Sequence, residues 1–184
     1  MKERPIIFSA PMVKAILPGR KTMTRRIVKK NASGRVELGG KNWHVDDPNA
    51  VAACPYGKVG DRLWVREVWR EFTNSQGAVV AIEYRADESN DDFFKWKSPL
   101  FMPRWASRIT LELTEVRIER LQDITAGDCV KEGVYPHDVG DDFHAAITAI
   151  AAFRNLWDSL YPDKPAKRWE SNPWVWVLEF KRIK

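Results

Sequence analysis

Alternation of apolar and polar side chains is clearest between Arg108 and Arg120, where Ile109, Leu111 and Leu113 interleave with Thr110, Glu112 and Thr114. A period of two is the mark of a strand with one buried face. Leu63 and Val65 alternate in the same way with Arg62, Trp64 and Arg66, and predict a strand over residues 62–69. Further strands are expected at 21–28, where Thr22, Thr24, Ile27 and Val28 are β-branched, at 78–85, and at 174–183. Between them, residues 29–57 are rich in Gly, Asn, Asp and Pro and read as a long loop or a small hairpin turning at Gly39-Gly40. An acidic loop is expected at 86–92.

Helical signals are fewer. Ser9 reads as an N-cap for a short helix over Ala10–Leu17, with Pro11 in its first turn and Pro18-Gly19 stopping it. Ile124-Thr125 opens a second helix, Ala126 to Glu132, which Gly133 ends. Asp141 or Asp142 caps a third. Its apolar residues Phe143, Ile147, Ile150, Phe153, Trp157 and Leu160 share one face and predict a core stripe. Helix, several strands, two helices and a last strand suggest a mixed α+β domain with an antiparallel, partly closed sheet.

Composition narrows this picture. A chain of 184 residues fits one domain with an insertion or two, and 44% hydrophobic with 30% charged residues is the balance of an ordinary globule. No apolar run approaches the roughly 20 residues needed to span a bilayer, so no membrane partner is expected. Met1-Lys2-Glu3-Arg4-Pro5 leads into the first apolar stretch with no cleavage-type segment, and a cytoplasmic location is expected. Cys54 and Cys129 are too few for a disulfide framework. The net charge of +5 is unevenly placed: Lys14, Arg20, Lys21, Arg25, Arg26, Lys29 and Lys30 lie in a stretch without one acidic residue. Such a block favours phosphates, or forms a solvated face balanced from elsewhere. Of the nine tryptophans, several must be core, and others could offer a surface for stacked bases.

Chemistry concentrates in the basic block. Gly19-Arg20-Lys21-Thr22-Met23-Thr24-Arg25 sets an amine and two hydroxyls beside a hinge. A lysine becomes a base when burial or cationic neighbours lower its pKa. Residues three apart on a regular strand face opposite ways, so Lys21 and Thr24 share a pocket only if the turn before them is irregular. Glu132, at a helix C-terminus where the macrodipole disfavours a carboxylate, is either a site residue or an exposed glutamate. His44, Cys54, Cys129, His137 and His144 lack the close pairing of a zinc site, and no P-loop occurs, so neither metal nor cofactor is expected.

Four segments taken in order resemble the ASCH domain family, a branch of the PUA-like β-barrels. They are Gly19 to Arg25, the turn and strand Gly57-Lys58-Val59-Gly60-Asp61-Arg62-Leu63-Trp64-Val65-Arg66-Glu67, the helix from Ile124-Thr125 to Glu132-Gly133, and Trp176-Val177-Leu178-Glu179-Phe180. Met102 to Ile109 resembles the longer ASCH proteins of phages and prophages. The resemblance implies an α+β fold, a small antiparallel or mixed PUA-like barrel with flanking helices. It also implies a single domain over 1–184 with insertions near 29–57, 70–100 and 134–152. Small members of the family remove the acetyl group of N4-acetylcytidine without a cofactor, and by motif their catalytic Lys, Thr and Glu correspond to Lys21, Thr24 and Glu132. Arg20, Thr22, Arg25, Arg26, Trp64, Arg66, Glu67, Arg104 and Trp105 are then expected to bind the nucleoside or RNA, or a modified DNA. The alternatives are a metal-independent ribonuclease and a non-catalytic module that reads RNA or modified bases. A third is a phage accessory factor that binds a host protein through residues 93–105.

Overall fold

The terminal strand is the run Trp174-Val175-Trp176-Val177-Leu178, apolar at every position. A strand with one wet face alternates; an unbroken run must be covered on both sides. The computed structural model supplies both covers. It describes residues 1–30, 35–38, 41–45, 47–87, 95–134 and 143–184, with residues 37, 38, 41, 48 and 143–146 described by their backbone alone. In chain order these form β1 (Glu3–Ile7), α1 (Ala10–Ile16), β2 (Met23–Ile27), β3 (Val36–Leu38), β4 (Lys41–Trp43), β5 (Arg62–Arg66), β6 (Trp69–Thr73), β7 (Val79–Tyr84), β8 (Thr110–Arg120), α2 (Ala126–Lys131), α3 (Phe143–Ser159) and β9 (Trp174–Arg182).

The fold is α+β with a mixed sheet. Its five strands run in the order β1-β5-β8-β9-β2, with β1 parallel to β5 and every other neighbour antiparallel. The sheet curls until its edges approach: Arg26 on β2 donates to the Ile7 carbonyl of β1 at 2.8 Å, and Phe8 packs on Phe180 of β9 at 6.1 Å. Among the described residues no backbone ladder joins β1 to β2. Inside the curl lie Ile6, Phe8, Leu63, Val65, Leu111, Leu113, Trp176, Leu178 and Phe180. On the outer face of β2 and β9, Met23, Val175 and Val177 meet Cys129 of α2 and Phe153 and Trp157 of α3. Thus β9 is buried twice. The pairs β3–β4 and β6–β7 form separate hairpins.

Several expectations change. The strand read at 21–28 begins only at Met23. Before it, Lys21 N–H donates to the Ala15 carbonyl at the end of α1, and Thr22 N–H to the Lys131 carbonyl at the end of α2. Residues 62–69 are not one strand, because Glu67 is turned in and clamped by Arg108 at 3.0 Å to each carboxylate oxygen. The third helix is core on part of its stripe only: Phe153 and Trp157 are buried, whereas Ile147 is 52% exposed and Leu160 also meets solvent. The Gly39-Gly40 turn, most of the acidic loop, Phe93, Phe94, His137, Asp141 and Asp142 lie outside the described residues. No helix among those described is long and apolar enough to cross a membrane.

Candidate functional site

The ends of α1 and α2 meet at the start of the edge strand β2. Helix α2 is started by a capping box, in which the Thr125 hydroxyl accepts from Asp128 N–H at 3.1 Å and the Asp128 carboxylate accepts from Thr125 N–H. It ends at Glu132, and Gly133 follows in the left-handed region at φ +86°. A Cβ on Gly133 would lie 3.1 Å from the Cβ atoms of both Ala15 and Lys21. This glycine is what lets the start of β2 pass against the end of α2.

Lys21 is thereby buried at 2% exposure. Its ammonium donates at 2.7 Å to the main-chain oxygen of Glu132 and at 2.7 Å to the Glu132 carboxylate. Burial lowers its pKa from the ordinary lysine value, with the Glu132 charge opposing and the Arg26 and Arg25 charges adding to the fall. The second Glu132 oxygen accepts from Arg25 at 3.2 Å. Arg25 also meets Glu119 at 2.5 Å and Asp128 at 2.9 Å, and lies over the Phe153 ring at 5.9 Å. Three carboxylates converge here on a guanidinium. Among the described residues no group of acidic, His or Cys side chains is arranged to hold a metal ion.

Thr24 opens onto a small cavity that it shares with Arg25, Arg26, Glu132 and, from the helices, Met12, Phe153 and Trp157. No side-chain hydrogen bond ties the Thr24 hydroxyl among the described residues. At about 20 Å³ the space suits one water molecule. Beyond Arg26 a larger groove of about 320 Å³ runs past Ile27, Lys29, Pro55, Tyr56 and Trp176. Arg26 faces the phenols of Tyr56 and Tyr161, whose pKa values burial raises and the Arg26 charge pulls back. Cys129 and Cys54 are pushed up to about 12 and about 11 by burial, so neither thiol is a nucleophile at neutral pH.

The structure therefore gathers Lys21, Thr24, Arg25, Arg26 and Glu132 in one place. Arg20 is exposed, donating to the Lys14 carbonyl, and Thr22 contributes its backbone to the junction. From the sequence, Arg25, Trp64 and Glu67 belong on a ligand-facing surface; in the structure all three are buried. Arg25 is spent on its three carboxylates and Glu67 on Arg108, while Trp64 lies beneath the Arg66 guanidinium at 4.6 Å. Arg66, Arg104 and Trp105 stand away from the cavity, about strand β5 and the segment that covers its outer face. Sequence reasoning missed Glu119 and Asp128 as partners of Arg25. Asp128 carried a signal, the Thr-x-x-Asp spacing of the capping box; Glu119, in an alternating strand, carried none.

No protein-family model and no curated protein matches the chain. Among solved structures it is similar to an ASCH domain from Lactobacillus crispatus, at 13% identity and a TM-score of 0.44, over 98% of this chain and 79% of that one. It is also similar to a DUF984 protein from Enterococcus faecalis, at 9% identity and a TM-score of 0.45, over 100% of this chain and 81% of that one.

Proposed function

We propose that this is an ASCH-type hydrolase that removes an N-acyl group, of the N4-acetylcytidine kind, from a pyrimidine nucleoside or base. One observation carries the reading: a buried amine, Lys21, is locked to a carboxylate, Glu132, that lines the same cavity as the untied hydroxyl of Thr24. The pyrimidine as carrier of the acyl group rests on the motif resemblance. Thr24 Oγ attacks the amide carbon, and its proton passes to the neutral Lys21 amine. As the C–N bond breaks, that proton goes to the departing exocyclic nitrogen. Water then hydrolyses the acyl-threonine ester, releasing the carboxylic acid and restoring the hydroxyl. Glu132 positions the amine, and Arg25, held from three sides, positions Glu132.

The test is a turnover assay with N4-acetylcytidine and chelator present. Lys21→Ala and Thr24→Ala are each expected to lower kcat/KM by about 10³-fold, the scale lost when a general base or nucleophile is removed. Lys21 works as its unprotonated form, so the wild-type rate should rise with pH through an inflection below the ordinary lysine value of 10.5. Wild-type turnover that either alanine variant retains would remove the residue from the mechanism. The closed pairing of Lys21 with both the main-chain and a carboxylate oxygen of Glu132 favours a second reading, a module that holds RNA or a modified base without turning it over. Absence of hydrolysis on every acylated nucleoside would select it.

A further inference from the structure

The start of β1 and the turn before β5 hold one carboxylate between them. Lys58-Val59-Gly60-Asp61 closes through the Asp61 N–H, which donates to the Lys58 carbonyl at 2.9 Å, and Gly60 supplies the positive φ, +83°, that the tight turn needs. The Asp61 carboxylate then accepts from Lys2 N–H at 2.7 Å, from Lys58 N–H at 3.3 Å and from Arg4 Nη1 at 3.0 Å. The Arg4 guanidinium lies against bare backbone: a Cβ on Gly57, at φ +117°, would stand 2.7 Å from Nη1 and 2.9 Å from the Asp61 oxygen. The fold therefore fixes this guanidinium in place.

A pocket of about 500 Å³ opens beside the pair, lined by Lys2, Arg4, Lys58 and Asp61 and by an apolar wall of Ala52 and Pro55. That volume is the scale of a small-molecule site. Its charge says which molecule. Both Asp61 oxygens are taken by the donors just named. Holding the amides of Lys2 and Lys58 on one carboxylate also brings both side chains to one pocket, and among the described residues neither ammonium meets a carboxylate. Arg4 spends Nη1 on Asp61, while its Nε and Nη2 have no acceptor among the described residues. Three cations share one carboxylate that is already engaged, and the surplus charge is left for an anion. A fixed guanidinium fork with two mobile ammonium groups matches the several oxygens of a phosphate. The apolar wall suits an organic body attached to it. Among the described residues this pocket shares no lining with the Thr24 cavity, and it meets the groove beyond Arg26 only at Pro55.

We infer that this pocket binds the phosphate monoester of a small organic molecule, with Arg4, Lys2 and Lys58 on the phosphate and Ala52 and Pro55 against its body. It is a second site, apart from the Thr24 cavity, and it does not rest on the proposed hydrolysis.

The experiment is a titration of the full chain with phenyl phosphate, followed by its backbone amide NMR signals, beside parallel titrations with inorganic phosphate and phenol. The signals of Gly57, Lys58 and Asp61 should shift and saturate, while those of Thr24 and Arg26 stay. The double variant Lys2→Ala/Lys58→Ala removes two exposed side chains that tie nothing in the fold, and it should bind phenyl phosphate about tenfold more weakly. Lys2→Arg/Lys58→Arg should keep the affinity. Inorganic phosphate should bind more weakly than phenyl phosphate for want of the apolar contact, and phenol should not bind. The inference fails if wild type shows no saturating shift, if the shifts gather at Thr24 and Arg26 instead, or if the double alanine variant binds as wild type does. Phenol bound as tightly as phenyl phosphate would overturn the role of the phosphate, and inorganic phosphate bound as tightly would overturn that of the organic body.

Discussion

Gly133 and Gly19 both sit at positive φ, +86° and +80°, yet their surroundings differ. A Cβ at Gly19 would meet nothing within 4 Å, whereas one at Gly133 would press on the Cβ atoms of Ala15 and Lys21 at 3.1 Å. Gly19→Ala should therefore cost only the backbone strain, about 1–2 kcal/mol. Gly133→Ala should cost more, because the junction that buries Lys21 must open as well. Denaturant midpoints rank the two, and equal losses would mean that the junction yields freely. The local pattern offered an amine, two hydroxyls and a carboxylate before a glycine as separate candidates, and the family resemblance joined them. That three carboxylates close on Arg25 was not legible. Its partners Glu119, Asp128 and Glu132 lie 94, 103 and 107 residues away, and an arginine in a basic block looks the same whether or not they close on it.

Helix α3 shows how far a periodic pattern reaches at the scale of an element. Spacing alone puts Ile147, Phe153, Trp157 and Leu160 on one face. Cover is supplied only where β2, β9 and the turn at Trp169–Ser171 lie beneath, and there Phe153 meets Trp157 at 6.0 Å and Trp169 at 6.4 Å. Phe153→Ala should lose about 3–5 kcal/mol by thermal or denaturant unfolding, the cost of emptying a filled aromatic site. Ile147→Ser should stay within about 0.5 kcal/mol, since 52% of that residue is already wet. A large loss at Ile147 would show a cover over it that the described residues lack. In β9 the residue pattern was fuller, because an unbroken apolar run already implies cover on two faces. Which elements supplied it, α2 and α3 on one side and the curled sheet on the other, depended on the path of the chain.

Across the whole molecule, the first strand is tied to the turn before β5 by Asp61. Its carboxylate accepts from Lys2 N–H at 2.7 Å, from Lys58 N–H and from the Arg4 guanidinium at 3.0 Å. The Lys2 amide leads these in holding the pKa down at about 2, below the unfolded value near 3.8. A depressed carboxylate contributes its stability above the unfolded value and loses it as pH falls through the folded one. Wild type should accordingly weaken between about pH 4 and pH 2. Asp61→Asn should be less stable at neutral pH and flatter across that window, as read from denaturant midpoints; an unchanged slope would assign the acid sensitivity elsewhere.

The residue pattern by itself determined the α+β class, most of the strands and the places of the short helices. These depend on periodicity and on neighbours a few positions apart. The tertiary structure alone decided that β1 runs parallel to β5, that β2 starts at Met23, and that Lys21 is sealed against Glu132 across 111 residues of chain. It also covered Trp64 and Glu67 and left Phe101 and Trp105 exposed. The physical reason is that burial belongs to a position in space. An aromatic or charged side chain has the same local pattern whether another element lies over it or water does, and only the closing of the sheet settles which.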